Sequence, residues 1–186
     1  MKEFLKRILT LSSKPIKYKR QEVHGPVRPK YNVPDIIPDK HKNLFIEQAL
    51  KANVTPEQFG QIVKREQGPR TTFENAAMVG GADPKDRGLM QVNKINEPMI
   101  QERFMKEYGR PYNPNSTPDS IIAASFVLQE HKKQFNNKIK NQTYSGDITG
   151  DVLIDSYNLG PTGYAEALQG DAERQFKLNR YRQAGQ

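Results

Sequence analysis

The chain has 186 residues, with 29 Lys+Arg against 21 Asp+Glu, a formal net charge of +8, no Cys and no Trp. That length fits one domain of about 100–200 residues plus an appendage, and such a chain buries a core without covalent staples. The lack of Cys excludes a disulfide framework, thiol catalysis and Cys-ligated metal, and no apolar run approaches the ~20 residues that cross a bilayer.

The charge is concentrated at the start. Residues 1–42 hold eleven Lys+Arg, four Asp+Glu and five Pro, a net +7 that leaves only +1 for the remainder. Pro removes a backbone donor and restricts the residue before it, so long helices are not expected there. We read residues 1–40 as a basic, Pro-rich arm and residues 41–186 as a nearly neutral globular body. The opening Met-Lys-Glu-Phe-Leu-Lys-Arg-Ile-Leu-Thr-Leu has basic residues before an apolar stretch, as an export signal does. However, the stretch is shorter than the roughly 7–15 residues required and no small-residue cleavage site follows it. A short amphipathic helix fits better. Phosphate attraction by the basic residues remains open, but the arm's only aromatic rings besides Phe4 are Tyr18 and Tyr31, which is poor support for single-strand stacking.

From His41 onward the pattern is helical. Phe45, Ile46, Ala49 and Leu50 predict a helix over 43–52. Thr55-Pro56-Glu57-Gln58 supplies an N-cap, a first-turn Pro and a capping-box partner. The helix that follows carries Phe59, Ile62, Val63 and Glu66 on one face, so a carboxylate ends an apolar stripe directed at the core. Gln67-Gly68-Pro69 stops it. A Glu beside such a break is a candidate proton donor, because partial desolvation raises a carboxyl pKa toward neutrality. Taken alone, a Glu there is more often paired with an Arg at the helix end.

Residues 69–93 lack a period and are rich in Gly, Pro, Asp and Asn, the mark of a long functional or disordered loop. A short hairpin within 73–92 is the only strand expected. Helices are predicted over 97–108 and over 118–138, where Thr117-Pro118-Asp119 marks the start. A further helix covers 149–157 and ends at Gly160-Pro161. The last lies near 171–183. His24, His41 and His131 have no metal-ligand spacing and are read as surface residues. Asp83-Pro-Lys-Asp86 is too short for a calcium loop, Gly80-Gly81 is not followed by the Lys-Ser/Thr of a phosphate cradle, and no cofactor is implied.

Three pieces then occur in a fixed order: Glu66 at a helix end, Gly88-Leu89-Met90-Gln91, and Tyr157-Asn158-Leu159-Gly160-Pro161. Together they resemble the soluble lytic transglycosylase and goose-type lysozyme superfamily over about residues 41–186. The resemblance implies a mainly α, lysozyme-like domain that cleaves peptidoglycan glycan strands. It implies Glu66 as the acid, Tyr157 beside it, and Gly88, Met90, Gln91, Asn93 and Asn158 lining the saccharide cleft. Two departures stand out: Gln67 replaces the usual Ser, and the stretch from Glu66 to Gly88 is longer than in many members. The latter makes Glu74 a rival acid, but Glu74 lies in the loop and lacks the apolar helical face that precedes Glu66. The family mechanism needs a single Glu and yields 1,6-anhydro products. In the goose-type branch an Asp after Gly-Leu-Met-Gln-Val helps position water. Asn93 stands at that place here and cannot act as a base, which favours the transglycosylase outcome. Asp83 and Asp86 are left as possible secondary carboxylates for hydrolysis, and an inactive glycan-binding module is a third alternative. The arm suggests a part of a virion or of a secretion assembly that carries a wall cutter. The partners expected are thus glycan strands and structural proteins contacted through residues 1–40, with no specific nucleic acid and no membrane span.

Overall fold

The computed structural model describes residues 31–67 and 86–184, and within them the protein is mainly helical. The compact body begins at Tyr31, ten residues earlier than the charge boundary suggests. Val33 and Ile37 are buried in the core. The Asn32 backbone N–H donates to the Glu57 carboxylate at 2.8 Å. Pro34 lies so close to Gly60 that a Cβ there would stand 2.7 Å from the Pro34 Cγ. Two apolar side chains inside a basic, Pro-rich stretch are a weak sequence signal, which is why the boundary falls late when read from charge.

Helix α1, Asp39–Lys51, buries Phe45, Gln48 and Ala49, and Phe45 meets Phe59 of the next helix with ring centroids 4.8 Å apart. Helix α2, Pro56–Gln67, begins as predicted. The Gln58 N–H donates to the Thr55 hydroxyl at 3.1 Å, and the Thr55 N–H donates to the Gln58 amide oxygen at 2.9 Å, a reciprocal capping box. Phe59, Ile62 and Val63 are buried.

The hairpin is minimal. Strand β1, Asp86–Arg87, pairs antiparallel with β2, Val92–Asn93, and a 3-10 turn, Lys94–Asn96, leads into α3, Glu97–Tyr108. The rest of the irregular stretch, residues 68–85, lies outside the described residues, and so do Glu74 and Asp83. Helix α3 ends on Gly109 in the left-handed conformation (φ 66°).

Helix α4, Thr117–Lys140, is the central element: Asp119 through Leu128 are buried without interruption, the mark of a helix covered on all sides. Its Ser125 hydroxyl donates to the Gln48 carbonyl of α1 at 3.0 Å. Asp119, itself buried, accepts both Arg110 guanidinium nitrogens at 2.7 Å. That pairing closes the loop entering the helix.

Helix α5 spans Gly150–Leu168, and Gly160 (φ 68°, ψ 165°) breaks its geometry. The predicted stop at Gly160-Pro161 is therefore present, but the chain turns helical again at once, a segment the sequence reading omitted. Pro161 supplies the preset φ of a first helical turn, and Tyr164, Ala165 and Ala167 are buried. Helix α6, Ala172–Gln183, starts on Asp171, whose carboxylate accepts from the Arg174 N–H at 2.9 Å.

His131 departs from its expected surface place: it is only 6 % exposed. The Ser156 hydroxyl donates to the Leu153 carbonyl, so its oxygen accepts the His131 Nδ1–H across 3.0 Å. Burial pushes this imidazole down to about 4. His41 is partly buried, and His24 lies outside the described residues.

Two predictions follow from this packing. A chain beginning at Lys40 loses Val33 and Ile37 from the core and should be destabilised by roughly 3 kcal/mol in urea unfolding, whereas a chain beginning at Tyr31 should match the full protein. Unfolded His131 takes its proton near pH ~6.5, while the folded one refuses it until about 4. Between those values the unfolded state binds more protons, so stability should fall by up to roughly 3 kcal/mol as pH drops through this window and level off below it. His131→Asn should flatten that dependence; an unchanged pH slope in the variant would show that His131 is not its source.

Candidate active site

The site is built around the backbone of Gly88-Leu89-Met90-Gln91. Gly88 has φ 75°, and an added Cβ would stand 2.8 Å from both the Pro114 carbonyl and the Ser120 hydroxyl, so only Gly fits there. Gln91 also takes a positive φ, 44°. Its N–H and its side-chain amide both donate to the Gly88 carbonyl, which makes the turn self-closing.

Three helices grip this turn. From the end of α2, the Gln67 amide donates to the Leu89 carbonyl at 2.6 Å. From α4, the Ser120 hydroxyl accepts the Met90 N–H at 3.0 Å. From α5, the Tyr157 hydroxyl donates to the Met90 carbonyl at 2.9 Å. Buried main-chain polar groups need partners, and each of these comes from a different element. Leu89 and Met90 are fully buried. The Met90 side chain packs in the core, where burial stabilises an apolar group, and it is the Met90 carbonyl that engages Tyr157.

Glu66 sits in the last turn of α2 and is partly buried. Behind it lies an ion cluster: Asp155 of α5 accepts from Arg65 at 2.8 Å and from Arg182 of α6 at 2.6 Å. The Arg65 guanidinium also stands over the Tyr181 ring, 4.9 Å from its centroid. Burial first, then the neighbouring Glu66 charge and Tyr157, pushes the Tyr181 hydroxyl well above its ordinary value. Glu66, Tyr157 and Tyr181 are therefore electrostatic neighbours, although the Tyr181 hydroxyl meets no partner at hydrogen-bond geometry among the described residues. The chemical content is one carboxyl beside two phenols, with a partly buried ion cluster joining α2, α5 and α6.

The other expected residues divide. Asn93 is partly buried, and its side chain caps the 3-10 turn by accepting the Ile95 N–H at 3.0 Å. Gln91 is buried, whereas Asn158 is exposed. Asp86 is placed by its backbone pairing with Asn93. Glu74 and Asp83 fall outside the described residues. Among the described residues no group of three or more His, Asp or Glu could hold a metal ion. Sequence reasoning missed Tyr181, Gln67 and Ser120. For Tyr181 a faint signal existed: Leu178 and Tyr181, three apart, are the only buried residues of α6.

A family model described as Transglycosylase SLT domain matches residues 43–179. The chain belongs to this family. The matched segment includes Glu66, the Gly88 turn and Tyr157, and it supports peptidoglycan lytic transglycosylase activity in general, with peptidoglycan as the substrate. It stops two residues before Tyr181. Comparisons with curated proteins and with solved structures found no match. Among the described residues no helix is long and apolar enough to cross a membrane.

The grip on the turn has a measurable consequence. Tyr157→Phe removes the donor to the Met90 carbonyl and should cost about 1–3 kcal/mol in chemical unfolding, with glycan cleavage reduced as well. Asn158→Ala, at an exposed position, should leave stability within about 0.5 kcal/mol.

Proposed function

We propose that Glu66 is the general acid and then the general base in cleavage of the bond between N-acetylmuramic acid and N-acetylglucosamine. The neighbourhood of Glu66, Tyr157 and Tyr181 at the gripped turn is the observation that carries this reading. Glu66 protonates the glycosidic oxygen as the bond to C1 of the muramyl residue breaks, and an oxocarbenium-like centre develops there. The carboxylate left behind takes the proton from the C6 hydroxyl of the same sugar. The C6 oxygen closes on C1, giving a 1,6-anhydro end and returning Glu66 to its acid form. No water is consumed. Tyr157 and Tyr181 surround the carboxyl with phenol dipoles. The non-hydrolytic outcome is supported by Asn93, an amide already engaged as a cap at the place where a water-positioning carboxylate would be needed.

Residues 1–30 hold nine Lys+Arg and two Asp+Glu, a net +7. We read them as an arm that docks the enzyme onto a larger envelope-crossing assembly such as a virion. A chain beginning at Tyr31 should keep its cutting activity and lose co-sedimentation with that assembly; retained co-sedimentation would remove the arm's role.

The decisive experiment is mass spectrometry of products from purified peptidoglycan. Anhydro-muropeptides are expected from the wild type. Glu66→Gln, nearly isosteric, should lose about 10²–10⁴-fold in rate with its unfolding midpoint maintained. Reducing muropeptides from the wild type would replace this mechanism with hydrolysis, and no product would leave a glycan-binding module.

A further inference from the structure

Each member of the ion cluster stands next to a residue of the site. Arg65 precedes Glu66, Arg182 follows Tyr181, and Asp155 lies two residues before Tyr157. The family match ends at residue 179, so Arg182 is a member that the family pattern does not include. An Arg beside a Glu at a helix end is ordinarily that Glu's partner. Here Arg65 gives its Nη1 to Asp155 Oδ1 at 2.8 Å, and its buried Nε meets no acceptor among the described residues. Arg182 gives its Nε at 2.8 Å and its Nη2 at 2.6 Å to the other oxygen, Oδ2. One carboxylate thus takes both guanidiniums, one on each oxygen.

Burial within the cluster is unequal. The side chains of Arg65 and Asp155 are 12 % and 10 % exposed, whereas that of Arg182 is 43 % exposed. Charge on Arg182 is screened by water, and charge on Arg65 much less so. Tyr181 joins the cluster to the acid: its ring lies under the Arg65 guanidinium, and its hydroxyl is within electrostatic reach of Glu66, Tyr157 and Arg65. Of the other described elements packed on α2, the Gly88 turn brings no ionisable side chain between Gly88 and Gln91, and α1 meets α2 through Phe45. Lys64 and Asp35 share a recess on the far side of α2, since two residues are more than half a helical turn.

A general acid must hold its proton at working pH. A guanidinium free to act on a carboxyl favours the charged form and removes that proton. We infer that Asp155 is a positioning residue that holds Arg65 and Arg182 on itself and so leaves Glu66 in its acid form. The inference rests on the proposed function for the role of Glu66. In Asp155→Asn the neutral amide offsets neither cation, and the poorly screened Arg65 acts on Glu66 directly.

The test is an NMR titration of the Glu66 carboxyl in the full chain, with the pH profile of glycan cleavage measured alongside. Asp155→Asn raises the cluster charge by one, Arg65→Met lowers it by one, and the two together restore it. The Glu66 titration should move down by about one pH unit in Asp155→Asn, move up in Arg65→Met, and return in the double variant. Asp155→Glu, which keeps the charge, should hold the wild-type position. The alkaline limb of kcat should follow the same order, with KM unchanged. A cluster with a structural role only would weaken the variants without ordering the titration by charge, and that result overturns the inference. Arg65→Met leaves Asp155 paired with Arg182, so it decides the matter even where Asp155→Asn does not fold: an unmoved or lowered Glu66 titration overturns the inference. Glycan cleavage by the wild type with no such ordering overturns the inference and leaves the proposed function standing. An ordered titration in a chain that cuts no glycan supports the hold of Asp155 on the two cations and removes the catalytic reading.

Discussion

The turn at Gly88-Leu89-Met90-Gln91 is the constraint on which the site depends. Its two inner residues are fully buried, so their peptide groups cannot use water. Each buried group left without a partner would cost about 1–3 kcal/mol. The partners come from Gln67, Ser120 and Tyr157, which ties the end of α2, the middle of α5 and the start of α4 to one short piece of backbone. Glu66 precedes Gln67 by one residue, so the bond that satisfies Leu89 also sets where the carboxyl stands. Gly88 is required twice over, by its positive φ and by the closeness of Pro114 and Ser120.

The ion cluster on the other side of Glu66 completes the hold. Asp155 joins Arg65 of α2 to Arg182 of α6, and its side chain is only 10 % exposed. Buried ion pairs add little net stability against an apolar substitute, but losing one partner leaves a charge unpaired at a cost of about 3–5 kcal/mol. Such a cluster specifies the relative placement of three helices more than it strengthens them. That placement brings Tyr181, from the far end of the chain, beside Glu66. Gln67 links this to the departure from the usual Ser: a longer amide reaches the Leu89 carbonyl.

Local rules carried much of the secondary structure. The capping box at Thr55, the Pro-Asp start at 117–119 and the apolar periodicity of α3 and α4 are encoded within a few residues, and these helices lie where the sequence predicts them. The segment after Gly160 shows where local rules end: Gly-Pro does interrupt the helix, but Pro is also a good first residue for a new one, and the apolar surface buried by Tyr164 and Ala165 makes the restart favourable. His131 had no sequence signal for burial, because its partner Ser156 lies 25 residues away on another helix. The same holds for Val33 and Ile37, two apolar residues in a basic stretch, whose place depends on α2 presenting Gly60.

The sequence by itself determined the helical class, the helix starts, and the order of Glu66, the Gly88 turn and Tyr157, since these rest on capping chemistry, periodicity and short motifs. Tertiary structure alone decided that the Met90 carbonyl and not its side chain meets Tyr157, that Tyr181 neighbours Glu66, and that residues 31–38 belong to the body. Each of these depends on which distant element arrives to satisfy a buried polar group or to cover an apolar one, and contacts between residues far apart in sequence leave no periodic trace in a single chain.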